Sequence, residues 1–336
     1  RLQDVAELAS VSIGTASQAL NNRPNVASET RTRVIDAART LGYPIKTPAA
    51  SVKTDLRVVG MLMSHSFGYP RTVNPFYSHI QAGIERECHR QNISLMYANI
   101  EVDSSDRPLA WPPMLSEKRI DGLLLVGTFI KDTIGILKRR SDMPIVLINA
   151  YAPNLPYDNI VIDNDMGTRR AIEYLIQLGH RRIGLVGTNL ESPPSLGERR
   201  ACFRSLMQRH GLSEAYIEDS ELTQDSGCES LKRLLERAPD VTAVFAAADI
   251  VAIGALNAAR DLGVEVPSEL SIIGFDNIDL ASIVTPALTT VHVHKTWMGS
   301  LGVRQLLHCA AEPGHPKVTI SVATKLIERD SVGPAR

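Results

Sequence analysis

Residues 2–21 read Leu-Gln-Asp-Val-Ala-Glu-Leu-Ala-Ser-Val-Ser-Ile-Gly-Thr-Ala-Ser-Gln-Ala-Leu-Asn. Leu2, Val5, Ala6 and Ala9 fall on one helical stripe, Ser10-Val11-Ser12 makes a short polar break, and Ile13 opens a second run that ends at Asn21. Ser12 is suited to cap that run, because its hydroxyl can meet an orphan backbone N–H in the first helical turn. Small residues at Ala6, Ala9 and Ala16 let two short helices cross closely. A helix held this way across a turn fits a DNA major groove, its N-terminal side chains at base edges. An ordinary helical hairpin buried in a core gives the same pattern, so the rest of the chain has to decide. A third helix is expected over 28–41, with Gly42 as its stop.

The chain has 336 residues, enough for two or three domains that each bury a core. Its 44% hydrophobic and 22% charged residues suit a globular protein, and the net charge of -1 by itself argues for no nucleic-acid partner. The charge is uneven, however. Residues 1–54 carry seven basic and four acidic side chains, +3 in all, which leaves -4 on the remainder. A mildly basic head on an acidic body suits phosphate contact, although a solvated surface has the same look. Cys88, Cys202, Cys228 and Cys309 are far apart with no CxxC spacing, as expected for reduced, mostly packed thiols. The opening residues do not read as an export signal and no apolar run nears membrane-spanning length, so a cytoplasmic protein with no membrane partner is expected.

Residues 43–55 contain two prolines and small polar residues, the composition of a linker. Thr47-Pro48 also resembles a cap followed by proline at the first helical position, with a short Ala-rich helix behind it. Beyond it, apolar strands alternate with amphipathic helices. Strands are expected at 58–63, 93–99, 122–126 and 145–148, then at 160–162, 183–186, 243–246 and 272–274. Helices are expected near 76–90, 131–140, 166–178, 198–210, 227–237 and 250–262. The alternation predicts an α/β core of two lobes, each a parallel sheet wound on both faces. Between the carboxyl ends of their strands lies a cleft where such sheets bind ligands. Residues 290–293 and 319–323 are expected to cross back between lobes. The expected division is therefore 1–46 for the all-α head and 47–56 for a hinge. The core is 57–336, its N-lobe made of about 57–158 and 290–318, its C-lobe of about 159–289 and 319–336.

The ordered series of Asp4–Ser12 (DVAELASVS), Leu41-Gly42-Tyr43, Asn74-Pro75-Phe76, Leu178-Gly179-His180, Gly274-Phe275-Asp276-Asn277, Leu288-Thr289-Thr290 and Glu328-Arg329-Asp330-Ser331 resembles the lactose-repressor and galactose-repressor family of bacterial transcription regulators. The resemblance covers essentially the whole chain. It implies a helix-turn-helix head, a hinge helix and a periplasmic-binding-protein-like core. It also implies a homodimeric repressor on a palindromic double-stranded DNA operator, controlled by a small-molecule effector, a sugar or sugar derivative, and it implies no cofactor. Twofold symmetry in the protein is then mirrored in the site.

In the family pattern the residues that read bases correspond here to Ile13, Gly14 and Gln18. Many relatives carry Arg at the last position, a reader of guanine; Gln18 suits adenine N6 and N7 instead. Ile13 can meet a thymine methyl, while Gly14 offers no side chain. Thr15 and Ser17, with the backbone at the helix N-terminus, fit phosphate contacts, Asn21 and Arg31 are further phosphate candidates, and the capping Ser12 is counted among the DNA-binding residues. Relatives usually show Ala-Arg-Ser-Leu in the hinge, the leucine wedging into the minor groove. This chain has Ala49-Ala50-Ser51-Val52. Unstacking a base step costs about a few kcal/mol, regained through added contact surface. Val52 is a shorter wedge than leucine, so replacing it by Leu is expected to tighten operator binding. An inert linker valine is the alternative.

For the effector cleft the resemblance implies Phe76, Arg199, Asp249 and Asp276, with Asn149 as a further candidate. Arg and Asp donate to and accept from paired hydroxyls, while an aromatic face covers a sugar's C–H surface. Two departures argue against an ordinary hexose: Ala248-Asp249 where relatives have Asn-Asp, and Leu222 where several have an aromatic. His292 and His294, two apart, are poor metal ligands without further partners, and no metal is expected. A solute-binding protein of a transport system remains a rival reading, as does an α/β enzyme, although no P-loop or nucleophile elbow is present.

Overall fold

A computed structural model describes residues 1–20, 26–43, 56–65, 75–101, 108–127, 137, 143–150, 157–190 and 192–336. The chain divides into two compact units, Arg1–Thr54 and Asp55–Arg336. The expected hinge over 47–56 and the expected helix over 131–140 fall almost wholly outside the described residues.

The first unit holds helices α1 (Leu2–Leu8), α2 (Ile13–Leu20) and α3 (Ser28–Thr40). Their shared core is made of small side chains: Val5, Ala6, Ala9, Ala16, Ala19, Leu20, Val26, Val34, Ala37 and Ala38. Ser10 adopts φ 54°, the left-handed conformation that reverses the chain after α1. The Val11 N–H then closes back on the Ala6 carbonyl.

The second unit contains two six-stranded sheets. In the N-lobe the order is β11-β5-β4-β3-β1-β2, all parallel, formed by β1 (Val58–His65), β2 (Ser94–Glu101), β3 (Gly122–Val126), β4 (Ile145–Ile148), β5 (Asp158–Ile162) and β11 (Thr319–Val322). The C-lobe sheet runs β12-β10-β9-β8-β6-β7, formed by β6 (Ile183–Thr188), β7 (Ile217–Asp219), β8 (Ala243–Ala246), β9 (Ser271–Asp276), β10 (Thr289–His292) and β12 (Lys325–Ile327). Only β12 is antiparallel to its neighbour in this second sheet. Strands β3, β4 and β8 are buried at every residue, because helices cover both faces of a parallel sheet.

The division of the lobes differs from expectation at three places. Strand β10 belongs to the C-lobe, parallel beside β9, whereas β11 belongs to the N-lobe beside β5. Strand β5 itself stays in the N-lobe through Ile162. The chain therefore passes between lobes after Ile162, between His292 and Lys295, and between Val322 and Lys325. Burial follows from where each strand sits in its sheet. Thr289, Thr290 and Val291 are fully buried, as an interior strand requires, while β11 exposes Thr319 and Ser321, as an edge strand can.

A helix that the sequence pattern does not single out, Lys295–Ala311, packs against Pro75–Gln91 in the N-lobe. A methyl on Gly83 would lie 2.1 Å from the Thr296 carbonyl oxygen, and one on Gly299 2.1 Å from that of Ile80. Backbone thus meets backbone at this crossing, and only glycine fits. The C-lobe repeats the device between Gln224–Arg237 and Asp249–Leu262, with Gly227 and Gly254 as the pair.

Candidate DNA-reading helix and ligand cleft

In the first unit the Ser12 hydroxyl accepts from the Thr15 N–H at 3.0 Å and lies 2.9 Å from the Thr15 hydroxyl. This is the cap expected from the sequence, and it fixes where α2 begins. Helix α2 then sorts its residues by side. Ala16, Ala19 and Leu20 are buried, while Ser12, Ile13, Gly14 and Gln18 are exposed and Thr15 and Ser17 half-buried. A half-exposed isoleucine in a helix whose other face is packed is a surface with something still to cover. Arg31 is half-buried and its Nη2 donates to the Val26 carbonyl at 3.5 Å, so part of its guanidinium braces the start of α3. Asn21, Ser51 and Val52 lie outside the described residues.

In the second unit, Phe76 and Asn149 of the N-lobe face Arg199, Leu222, Ala248 and Asp276 of the C-lobe across a cleft of about 640 Å³, its open mouth included. The C-lobe wall is wired together. Pro193 and Pro194 open the helix Pro194–Arg209, and its second turn delivers Arg199, which is 3% exposed. The guanidinium stacks 3.6 Å above the Phe275 ring and donates to Asn164 Oδ1 at 2.9 Å and to the Ala247 carbonyl. Its Nη2 lies 3.6 Å from Asp276 Oδ1.

Asp276 ends β9 in an unusual backbone, with φ 113°, followed by Asn277 at φ 51°. Such conformations cost of order 1–3 kcal/mol each and persist only where surroundings hold them. Here Lys295 Nζ donates to the carbonyls of both residues, the Asn277 N–H donates to Thr290 Oγ1, and Arg329 reaches Asn277 Oδ1 at 2.7 Å. Lys295 opens an N-lobe helix and binds the end of a C-lobe strand, so it also ties the lobes together.

Asp249 is placed differently from expectation. It begins the helix Asp249–Leu262, is fully buried, and does not line the cleft, as its neighbours Ala248 and Ile250 do. One carboxylate oxygen accepts from Thr290 Oγ1, the other from the Ile278 N–H at 2.8 Å. A side chain at Gly274 would sit 2.2 Å from that first oxygen, which is why β9 carries glycine there. Asp249 thus positions the loop beneath the ligand wall. Burial, then the charge of Asp276, pushes the Asp249 carboxyl well above the ordinary carboxylate range. Burial also raises Asp276, against the pull of Arg199 and Lys295. The two carboxyls therefore take up their protons as a pair.

The N-lobe wall is sparser. Phe76 meets Tyr77 edge-on with centroids 5.0 Å apart, and the Lys295 ammonium lies 5.9 Å from the Phe76 ring. Asn149, at φ 53°, donates from Nδ2 to the Tyr77 hydroxyl at 3.4 Å. Its Oδ1 is buried with no hydrogen-bond partner among the described residues. An orphan acceptor on a ligand cleft is satisfied when a donor arrives. Tyr77 and Lys295 are contributors that the sequence reading passed over; the run His292-Val293-His294-Lys295 drew attention to its histidines instead. Those rings touch edge-on at 4.6 Å, and burial holds His292 down at about 4. Burial pushes the thiols of Cys88, Cys202 and Cys309 up to about 12, so none of these three is a ready nucleophile.

Residues 1–44 match the family described as bacterial regulatory proteins, lacI family, and residues 172–332 match a periplasmic binding protein-like domain. The HTH-type transcriptional repressor PurR of Aliivibrio salmonicida is 32% identical over 335 residues, covering 98% of each chain. PurR of Escherichia coli O1:K1 / APEC is 32% identical over 342 residues, covering 100% of this chain and 98% of its own. Among solved structures, the transcriptional regulator CelR–cellobiose complex superposes with a TM-score of 0.70 at 26% identity, covering 98% of this chain and 99% of its own. The Lac repressor dimer bound to operator and the anti-inducer ONPF gives 0.70 at 22% identity over 99% of both chains, a likeness of fold. A helix-turn-helix unit followed by a two-lobed ligand-binding unit defines a DNA-binding transcriptional regulator rather than an enzyme. The chain belongs to the LacI family of bacterial regulatory proteins. No described helix is long and apolar enough to cross a membrane.

Proposed function

We propose that the protein is a cytoplasmic, homodimeric repressor that reads a palindromic operator through Ile13, Gly14 and Gln18, with Ser12, Thr15, Ser17, Asn21 and Arg31 on phosphates and the hinge residues Ser51 and Val52 at the operator centre. The observation that carries this reading is the capped helix α2, which buries Ala16, Ala19 and Leu20 and leaves Ile13, Gly14 and Gln18 exposed. Gln18 offers an amide to adenine where arginine would offer a fork to guanine.

The effector binds between the lobes, against Phe76, Asn149, Arg199 and Asp276, with Asp249 bracing the wall from beneath. A carbohydrate or carbohydrate derivative is supported by the cellobiose in the CelR structure and by the orphan acceptor of Asn149 beside a guanidinium and a carboxylate. Leu222 and Ala248 make that wall more apolar than a plain hexose favours. Effector binding changes the angle between lobes and so the spacing of the two hinge segments in the dimer. Only a difference in affinity between the two states can drive such a shift.

The test is fluorescence anisotropy on inverted-repeat duplexes across a salt series, with and without effectors found by thermal shift. Binding that falls steeply with salt, and a base preference that Gln18→Arg shifts from adenine toward guanine, is the expected result. A chain that stays monomeric and ignores every inverted repeat overturns the reading.

A further inference from the structure

Where β5 begins in the N-lobe, three donor side chains that do not line the cleft meet. Asp158 opens β5, Cys309 lies in the last turn of the helix Lys295–Ala311, and His315 sits in the loop before β11. Asp158 Oδ2 is 2.6 Å from His315 Nε2 and 3.0 Å from Cys309 Sγ, and that sulfur is 3.9 Å from the same nitrogen. The Asp158 and His315 side chains are 0% and 5% exposed, and Cys309 is buried. His315 Nδ1 faces the Glu312 carbonyl at 2.7 Å, which fixes the ring with Nε2 turned toward the carboxylate. Gln305 and the Val318 N–H hold the carboxylate in turn.

We propose that Asp158, Cys309 and His315 form a binding site for a divalent cation of the zinc class. One sulfur, one imidazole nitrogen and one carboxylate oxygen are the borderline donor set that zinc and cobalt take, while calcium and magnesium want oxygens alone. The fourth position falls to water or to His308, whose ring centroid is 4.8 Å from that of His315. Charge balance favours the exchange. Without a cation both ring nitrogens face acceptors, so the imidazolium offsets the carboxylate and the thiol keeps its hydrogen. A divalent cation replaces one proton on Nε2 and one on Sγ, and the buried cluster is neutral before and after. A nucleophilic triad does not fit the same atoms: one carboxylate oxygen receives both Cys309 and His315, whereas a triad places the carboxylate beyond the imidazole.

The test uses the full chain, reduced and stripped by chelator, titrated with cobalt(II) and followed in absorbance. Calorimetry with zinc(II) in two buffers of different ionisation enthalpy counts the protons released. One equivalent per chain is expected, with a thiolate-to-cobalt band and about two protons released per zinc. Cys309→Ser should abolish the band, and His315→Ala should weaken binding by about tenfold or more. Cys228→Ser and the double variant His292→Ala/His294→Ala should leave it intact. The absence of a thiolate band in the unmutated protein overturns the proposal, and so does a band that survives Cys309→Ser. Because the unmutated protein decides the first outcome, a variant that fails to fold leaves the proposal testable.

Discussion

Asp158 in the N-lobe and Asp249 in the C-lobe are both 0% exposed, and the protein treats them in opposite ways. Burial alone would raise Asp158, yet donations from Cys309, Gln305, His315 and the Val318 N–H hold its carboxyl down at about 2. Asp249 receives two donations, from Thr290 and the Ile278 N–H, and faces the charge of Asp276. It is driven the other way. Ionisation inside a protein follows from the number and charge of donors aimed at the group, and depth of burial only sets the penalty they must overcome.

The comparison breaks most visibly at Asp158→Asn. That change turns an amide toward His315 and Cys309 and leaves an imidazolium without its counter-ion. The expected loss is about 3–5 kcal/mol, read from urea midpoints at pH 7 in chelator. A loss under about 1 kcal/mol means that Asp158 is not the charged partner. Arg199→Met takes from Asp276 its main cation but lets that carboxyl escape by taking up a proton. The cost should be about 2–3 kcal/mol, with effector affinity lost as well. Asp249→Asn, which resembles the protonated acid, should cost about 1 kcal/mol or less at neutral pH. If it proves as damaging as Asp158→Asn, the two sites are alike after all.

The two sites also differ in the sign of their pH dependence. Asp158 is lowered, so its contribution is present above the unfolded value near 4 and lost as pH falls toward about 2. Asp249 is raised, so its contribution is full below about 4 and declines as pH rises through its folded value. Urea midpoints measured from pH 3 to 8 should therefore lose an acid-side fall in Asp158→Asn and a neutral-side decline in Asp249→Asn.

Periodicity and caps disclosed most of the elements in the sequence. Ser12 was legible as a cap because its partner Thr15 is three residues away. Phe76, Asn149, Arg199 and Asp276 could be named in advance, and the fold brings them to one cleft. Pairing was not legible. Residues 290–293 and 319–323 are both short and apolar, and nothing local says which sheet each will join. The Asp158 cluster was hidden for the same reason: its members stand 151 and 157 positions apart, and only the assembled sheet edge unites them.

The three passages of the chain between lobes also order its birth on the ribosome. The first five N-lobe strands have all been translated by Ile162, but the edge of β5 has no neighbour until Thr319–Val322 is made. Over the roughly half of the chain made between Ile162 and Val322 that open edge is a template for pairing with a stranger, so aggregation of nascent chains should be governed by how fast residues 163–322 are translated.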